Sequence, residues 1–88
     1  MFRIQRTSNG DVVLKVAGEL AAIDVGELAS ALAAESTAES VVLDLKELTL
    51  VDRQVVRFLQ ECEFKGIGIR NCSGYIRRWI ESEKTNGS

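Results

Sequence analysis

The chain has 88 residues, which is enough for one small domain with a single hydrophobic core. Lys and Arg total 11 against 13 Asp and Glu, and the net charge of −2 argues against non-specific nucleic-acid binding, which needs a basic surface. No apolar run approaches the length of a membrane span, and the charged N-terminus lacks the apolar run of a signal peptide. We therefore expect a cytoplasmic protein with neither a membrane nor a nucleic acid as its partner.

The residue types that most often hold metals or act as general bases are scarce in this sequence. Histidine is absent, and the two cysteines, Cys62 and Cys72, match no zinc-binding spacing. Their spacing permits a disulfide, but in a cytosolic chain we expect two free thiols. We expect no metal, no cofactor and no enzymatic activity.

The first third of the sequence predicts a β-hairpin and then a helix. Apolar and polar residues alternate in residues 2–7 and again in 12–17, and Asn-Gly between them favours the type I′ turn of a hairpin. Asp24 and Glu27 then stand at capping-box spacing. Apolar residues recur at i, i+3, i+4 and i+7, which predicts a helix from about residue 25 to residue 35.

The stretch 41–54 organises the rest of the chain. It opens as an apolar run rich in Val and Leu, which predicts a buried strand. It closes at Asp52, whose carboxylate suits the N-cap of a helix. The following residues have helical spacing on their apolar side, and Gly66 suits the end of that helix.

The last quarter of the sequence predicts a short strand at 67–70 and a helix that Ser73 could cap. Residues 81–88 are polar, and we expect them to form a disordered tail on a single domain that spans residues 1–80. The predicted order is β-β-α-β-α-β-α, an α/β fold with an opening β-hairpin, a four-stranded mixed sheet and helices packed on it. If strand order follows the sequence, the helices share one sheet face, and the open face carries Arg3, Gln5, Val13, Lys15, Val42 and Asp44.

Three short motifs appear in an order that resembles the STAS domain, a module shared by sulphate transporters and bacterial anti-sigma-factor antagonists. Gly18-Glu19-Leu20 is similar to that family's Gly-Glu-Leu/Ile-Asp, and residues 41–45 are similar to its central strand. Leu50-Val51-Asp52 is similar to the Phe-hydrophobic-Asp motif that leads into the family's second helix. The resemblance covers nearly the whole chain and implies a regulatory domain that works by binding proteins.

The sequence departs from the family at the position of its phosphorylation switch. In the antagonists the Asp is followed by Ser-Ser-Gly or Ser-Thr-Gly, and a partner kinase phosphorylates the first hydroxyl. Here Asp52 is followed by Arg53-Gln54-Val55, and Arg53 cannot be phosphorylated. A phosphate would add a charge of roughly −1.5 to −2 at this helix N-terminus, whereas Arg53 places a positive charge there.

The candidate binding residues lie at this junction, and each also has a purely structural interpretation. We expect residues 48–52 to be a loop that forms the contact surface together with the first turns of the following helix. Asp52 could contact a partner or act only as a cap, and the acidic residue earlier in the run could line the same site or only bind loop amides. The two arginines could face an acidic partner or solvent. The predicted partner-binding residues are Asp44, Thr49, Asp52, Arg53, Gln54 and Arg57.

Three functional hypotheses follow from these residues and from the resemblance. The first is a non-catalytic module that regulates a bacterial signalling protein, such as an anti-sigma-factor kinase or a sensory protein, without the phospho-switch, as a monomer or weak homodimer. The alternative is a domain that senses a small molecule or a lipid, which a thermal-shift panel would reveal. The third is a thiol-dependent activity of Cys72, whose pKa the following helix could lower.

Overall fold

The structure, a computed structural model, describes residues 2–35 and 40–86. A short 3-10 helix at Ala22–Asp24 leads directly into the first α-helix. Within the described residues the chain forms five strands and three α-helices, in the order β1 (Phe2–Asn9), β2 (Asp11–Leu20), α1 (Val25–Ala33), β3 (Val41–Asp44), β4 (Leu48–Val51), α2 (Arg53–Phe64), β5 (Gly68–Arg70) and α3 (Gly74–Asn86). The predicted α/β fold is confirmed, with five strands in the sheet where four were expected.

The sheet is mixed, and its strand order follows the sequence. β1 pairs antiparallel with β2, so the predicted hairpin is present. β3 pairs parallel with β2, and β5 pairs parallel with β3, which makes the main order β1-β2-β3-β5. Right-handed crossovers in such an order place the connecting helices on one face of the sheet.

The apolar run at 41–51 is two strands, and the prediction that residues 48–52 form a loop was wrong. β3 pairs with Val12–Lys15 of β2, and β4 pairs with Gly18–Leu20 further along the same strand. Between them the Asp44 carboxylate accepts a hydrogen bond from the Lys46 amide at 3.0 Å, and Leu48 N donates to the Leu45 carbonyl at 3.1 Å. Asp favours such a turn because its side chain binds the backbone two residues on.

Gly18 allows β2 to change partners at this turn. The register of the β2–β4 pairing shifts between Gly18 and Glu19, and Gly18 has a φ of 98°. A side chain is strained at that angle, whereas glycine adopts it freely. The first residue of the Gly-Glu-Leu motif therefore has a backbone function.

The core lies between the sheet and the three helices. Alternate residues of β2 point into it, and each helix contributes one apolar stripe. These residues are less than a tenth exposed and include Val12, Leu14, Val16, Leu28, Leu43, Val55, Leu59, Ile76 and Ile80. On the opposite, open face of the sheet, Gln5, Val13, Lys15 and Asp44 lie together as the sequence predicted, and Arg70 of β5 joins them.

The last helix extends further than the sequence predicted. α3 continues to Asn86, so residues 81–86 are helical; residues 87 and 88 lie outside the described residues. Arg77 and Glu81 form an i, i+4 ion pair at 3.6 Å, and Glu83 forms ion pairs with α2. These contacts connect residues 81–86, a polar segment that composition alone predicted to be a tail, to the rest of the domain.

Candidate protein-interaction site

The carboxylate of Asp52 holds two elements together. Its Oδ1 accepts a hydrogen bond from Val55 N at 3.0 Å, which caps α2 as predicted. Its Oδ2 accepts a hydrogen bond from Ala22 N at 2.7 Å, across 30 residues of sequence. Both oxygens are therefore used by backbone amides, and the 3-10 helix is fixed against the start of α2.

The 3-10 helix replaces the predicted capping box at the start of α1. The Asp24 carboxylate accepts a hydrogen bond from Ala21 N at 3.0 Å and makes no hydrogen bond that caps α1. The predicted capping box of Asp24 and Glu27 was therefore wrong, because the Asp24 side chain binds the amide of the N-cap residue of the 3-10 helix that precedes α1. This turn leaves Ile23, between two anchored residues, 89% exposed.

Arg53 and Arg57 share one acidic partner on α3. Arg53 Nε donates to Glu83 Oε1 at 3.2 Å, and Arg57 Nε approaches the same oxygen at 3.4 Å. The Glu83 side chain is only 10% exposed, and the hydrogen bond from Arg53 lowers the pKa of Glu83 below its usual value. Glu83 offsets the unfavourable meeting of a cation with the positive end of the α2 dipole.

Thr49 and Gln54 complete the predicted residues at this end of the molecule. Thr49 Oγ1 donates to the Gly18 carbonyl at 3.0 Å, and the Thr49 carbonyl accepts from the Tyr75 hydroxyl at 3.1 Å. Gln54 is exposed on the first turn of α2. Leu50, between Thr49 and the core residue Val51, is 55% exposed.

Exposed apolar and basic residues lie on the segments that Asp52 connects. Ile23 follows the residue that donates to Asp52, and Leu50, Arg53 and Gln54 each lie within two residues of Asp52 in the chain. We call these four residues the Asp52 surface. It combines two exposed aliphatic side chains with one cation, a combination that suits contact with another protein.

Asp44 lies apart from this surface. Its pairing partner Lys15 is five residues before Leu20 on β2, a separation of roughly 17 Å at about 3.4 Å per residue. The Asp44 side chain is 7% exposed and accepts hydrogen bonds from Lys46 N, Asn71 Nδ2 and Arg70. Burial would raise the pKa of Asp44, but these three donors outweigh it and the pKa lies below its usual value. The structure thus shows Asp44 binding a loop amide, one of the two roles expected for it.

The two cysteines are free, and burial makes both poor nucleophiles. Cys62 is part of the core, where burial raises its pKa to about 11. Burial likewise raises the pKa of Cys72, opposite to the lowering that the helix dipole could produce. A raised pKa means less thiolate at neutral pH, which does not favour the thiol-dependent hypothesis.

Two structural features are absent from residues 2–35 and 40–86. This part of the chain contains no cluster of three or more potential metal ligands. None of its helices is both long and apolar enough to cross a membrane.

Sequence patterns alone missed three residues that shape the site. Ile23 and Leu50 resembled core residues because their neighbours are apolar, and only the 3-10 turn and the β4 pairing expose them. The sequence places Glu83 at the border of the helical face of Ile76 and Ile80, but also within the polar segment 81–88, where a tail is predicted. Its signal was the helical spacing of Ile76, Ile80 and Glu83, which continues the face that α3 turns toward the rest of the domain.

Comparison with known proteins supports the fold that this architecture indicates. No protein-family model and no curated protein matches the chain. A solved structure, the STAS domain of an anti-sigma-factor antagonist from Rhodobacter sphaeroides, superposes with a TM-score of 0.64 at 19% sequence identity. The match covers 83% of this chain and 92% of that one. Together with the hairpin, the mixed sheet and the capped second helix, it shows that this chain has the STAS fold.

Proposed function

We propose that the chain is a non-catalytic protein-interaction domain that regulates a bacterial signalling protein, such as an anti-sigma factor or a sensory protein. The observation that carries the proposal is the Asp52 surface. Its scaffold is rigid because Asp52 joins two helix starts, and its exposed side chains make no contribution to the core. Exposed aliphatic residues on such a scaffold are typical of an interface.

The same surface supports regulation without a phospho-switch. Arg53 occupies the position at which the antagonists that the sequence resembles carry their phosphorylated hydroxyl. Its guanidinium uses Nε for Glu83 and is more than half exposed, so other N–H donors face solvent. A partner with an apolar patch beside an acidic side chain would match this surface in shape and charge. Binding would then be constitutive and set by concentration, because Arg53 stands at the position of the hydroxyl that is phosphorylated in those antagonists.

The proposal predicts that Arg53→Glu and Ile23→Glu each weaken partner binding by at least about tenfold, or about 1.4 kcal/mol. The first reverses a charge that faces the partner, and the second places a charge in an apolar contact. The tagged protein is used to capture its partner from its native cells, and the stoichiometric protein is identified by mass spectrometry. Affinities of the purified pair are then measured by calorimetry.

Arg78→Glu is the matched control, because Arg78 is exposed on α3 and its reversal gives the same change in net charge. It should bind like the wild type, and circular dichroism should show that all variants are folded. Equal binding by Arg53→Glu, Ile23→Glu and the control would exclude the Asp52 surface as the interface.

A second candidate function, small-ligand sensing, is favoured by a depression on the open sheet face. Its volume is about 290 Å³, and Lys15 and Arg70 stand on either side of Asp44. Their two positive charges exceed the one negative charge, so the depression would suit a small anion. A thermal-shift panel of anionic metabolites, with Lys15→Ala as the control, separates this function from protein binding.

A further inference from the structure

A second exposed hydrophobic residue lies at the other end of α2. Phe64 is 92% exposed, the highest value among the large apolar residues of the described chain. It is separated from Arg53 by eleven residues, or roughly 16 Å along the helix axis. Burying a phenylalanine is among the larger gains available to a small domain, yet the core does not use Phe64.

Phe64 belongs to an outward face of α2 that differs from its core face. Residues at i, i+3, i+4 and i+7 share one side of a helix. On the inner side of α2 the buried residues are Val55, Val56, Leu59 and Cys62. On the outer side they are Arg57, Gln60, Glu61 and Phe64, which we call the Phe64 face.

The Phe64 face contains a recess as well as a protruding ring. A depression of about 540 Å³ is lined by Arg57, Gln60, Glu61, Glu63 and Phe64 itself. It is large enough for a phenyl ring, and the exposed ring of Phe64 forms one of its walls. A phenyl ring from a second molecule would fit this recess.

We propose that the Phe64 face binds a second copy of this chain, with the two α2 helices packed antiparallel about a two-fold axis. A two-fold axis that passes between Gln60 and Glu61 places Gln60 of one copy opposite Glu61 of the other. Phe64 of one copy then lies opposite Arg57 of the other, inside the recess. The interface is isologous, so the same contact is made twice.

The chemistry of the face is complementary to itself. A guanidinium against an aromatic ring is a cation–π contact, and this pairing would make two of them. Gln60 uses one amide hydrogen for the Ile80 carbonyl at 2.7 Å, and its second hydrogen can donate to the Glu61 carboxylate of the other copy. The face carries one positive and one negative charge, Arg57 and Glu61, so two copies meet without net repulsion.

The proposal does not depend on the regulatory partner, because Phe64 is not part of the Asp52 surface. Phe64→Glu should weaken self-association at least tenfold, since a buried aromatic residue that fills a pocket carries much of the energy of an interface. Sedimentation equilibrium of the full chain over a wide concentration range measures this. Phe64 makes no core contact, so the variant should keep the circular dichroism spectrum of the wild type.

Ile23→Glu is the matched control for this experiment, because it places the same charge on an equally exposed aliphatic residue at the other end of the molecule. It should associate like the wild type. A wild-type chain that stays monomeric at all accessible concentrations would overturn the proposal, and so would a dimer that Phe64→Glu leaves intact.

The antiparallel geometry has its own test. In a Cys72→Ser background, which removes the more accessible native thiol, copies with Gln60→Cys and copies with Glu61→Cys are mixed and oxidised. Disulfides between unlike copies should form several-fold faster than disulfides between like copies, because residues 60 and 61 face each other across the axis. Equal rates would exclude this packing.

Discussion

At the scale of single residues, Asp52 and Arg53 have different roles at the site. Asp52 accepts one amide from α2 and one from the 3-10 helix, so both of its oxygens are used inside the domain. Arg53 is fixed by Glu83 on one edge of its guanidinium only. The acidic residue therefore shapes the surface, and we infer that the basic residue meets the partner.

Replacing Asp52 by alanine should lower the free energy of unfolding by about 1–2 kcal/mol, the usual cost of losing a helix cap. The Ala22 amide loses its acceptor as well, but it can turn to water because that end of the molecule is exposed. Asp52→Asn should cost less, since asparagine is an equally good cap. Urea denaturation monitored by circular dichroism measures both variants.

The control for this measurement is Glu47→Ala, which removes a carboxylate from the exposed turn between β3 and β4 and should change stability by less than about 0.5 kcal/mol. If Asp52→Ala were as mild as this control, the cap would not be a significant source of stability.

At the scale of elements, backbone conformation at the ends decides where each element lies. Gly18 lets β2 pass from β3 to β4, and the positive φ of 92° at Gly66 ends α2 immediately after Lys65. The predicted role of Gly66 is confirmed. The spacing of apolar residues cannot specify these changes of chain direction, because they depend on positive φ angles that glycine adopts far more readily than other residues.

Two glycine substitutions should have opposite signs for this reason. Gly26 lies in the first turn of α1 without a positive φ, and an added Cβ would meet nothing within 4 Å, so Gly26→Ala should stabilise the domain by about 0.5 kcal/mol. Gly66→Ala should destabilise it by about 1 kcal/mol or more, because alanine is strained at a φ of 92°. Thermal unfolding of the two variants is the measurement, and a shift of the same sign in both would contradict the argument.

At the scale of the whole molecule, three acidic side chains connect elements that are distant in sequence. Glu35 binds Arg6 of β1 at 2.8 Å, and Glu83 binds two arginines of α2. Asp44 joins β3 to β5 and to the turn after it. Interactions with basic or amide donors leave each of these carboxyl groups with a lowered pKa.

These lowered pKa values predict a specific dependence of stability on pH. A carboxyl group with a lower pKa in the folded state contributes stability above its unfolded pKa of about 4, and this contribution is lost as pH falls through the folded pKa. Unfolding free energies from urea titrations should therefore fall from pH 5 toward pH 2.

Asp44→Asn should show a shallower fall over this range, because one of the three groups no longer titrates. High salt should weaken the contribution of the more exposed ion pairs of Arg6, Arg53 and Arg57, and affect the buried Asp44 less. If the unfolding free energy of the wild type did not change with pH below pH 4, the proposed contribution of these three carboxyl groups to stability would be wrong.

Much of the fold was accessible from the sequence because its signals are local. Alternation around Asn9-Gly10 predicted the hairpin, and the periodic residues after Asp52 predicted α2 and its cap. The candidate site was predicted less completely. Its centre at Asp52 and Arg53 was found, but its hydrophobic part, Ile23 and Leu50, was not, since exposure is a property of packing and not of residue type.

The sequence by itself determined four of the strands, the three α-helices, the cap at Asp52 and the presence of Arg53 in place of a hydroxyl. These features depend on residues within a few positions of one another, or on chemical identity alone. Only the tertiary structure decided that the apolar run is two strands, that Asp52 also binds Ala22 and that Glu83 pairs with α2. These contacts join residues about thirty positions apart, and such pairs form only when packing brings the elements together.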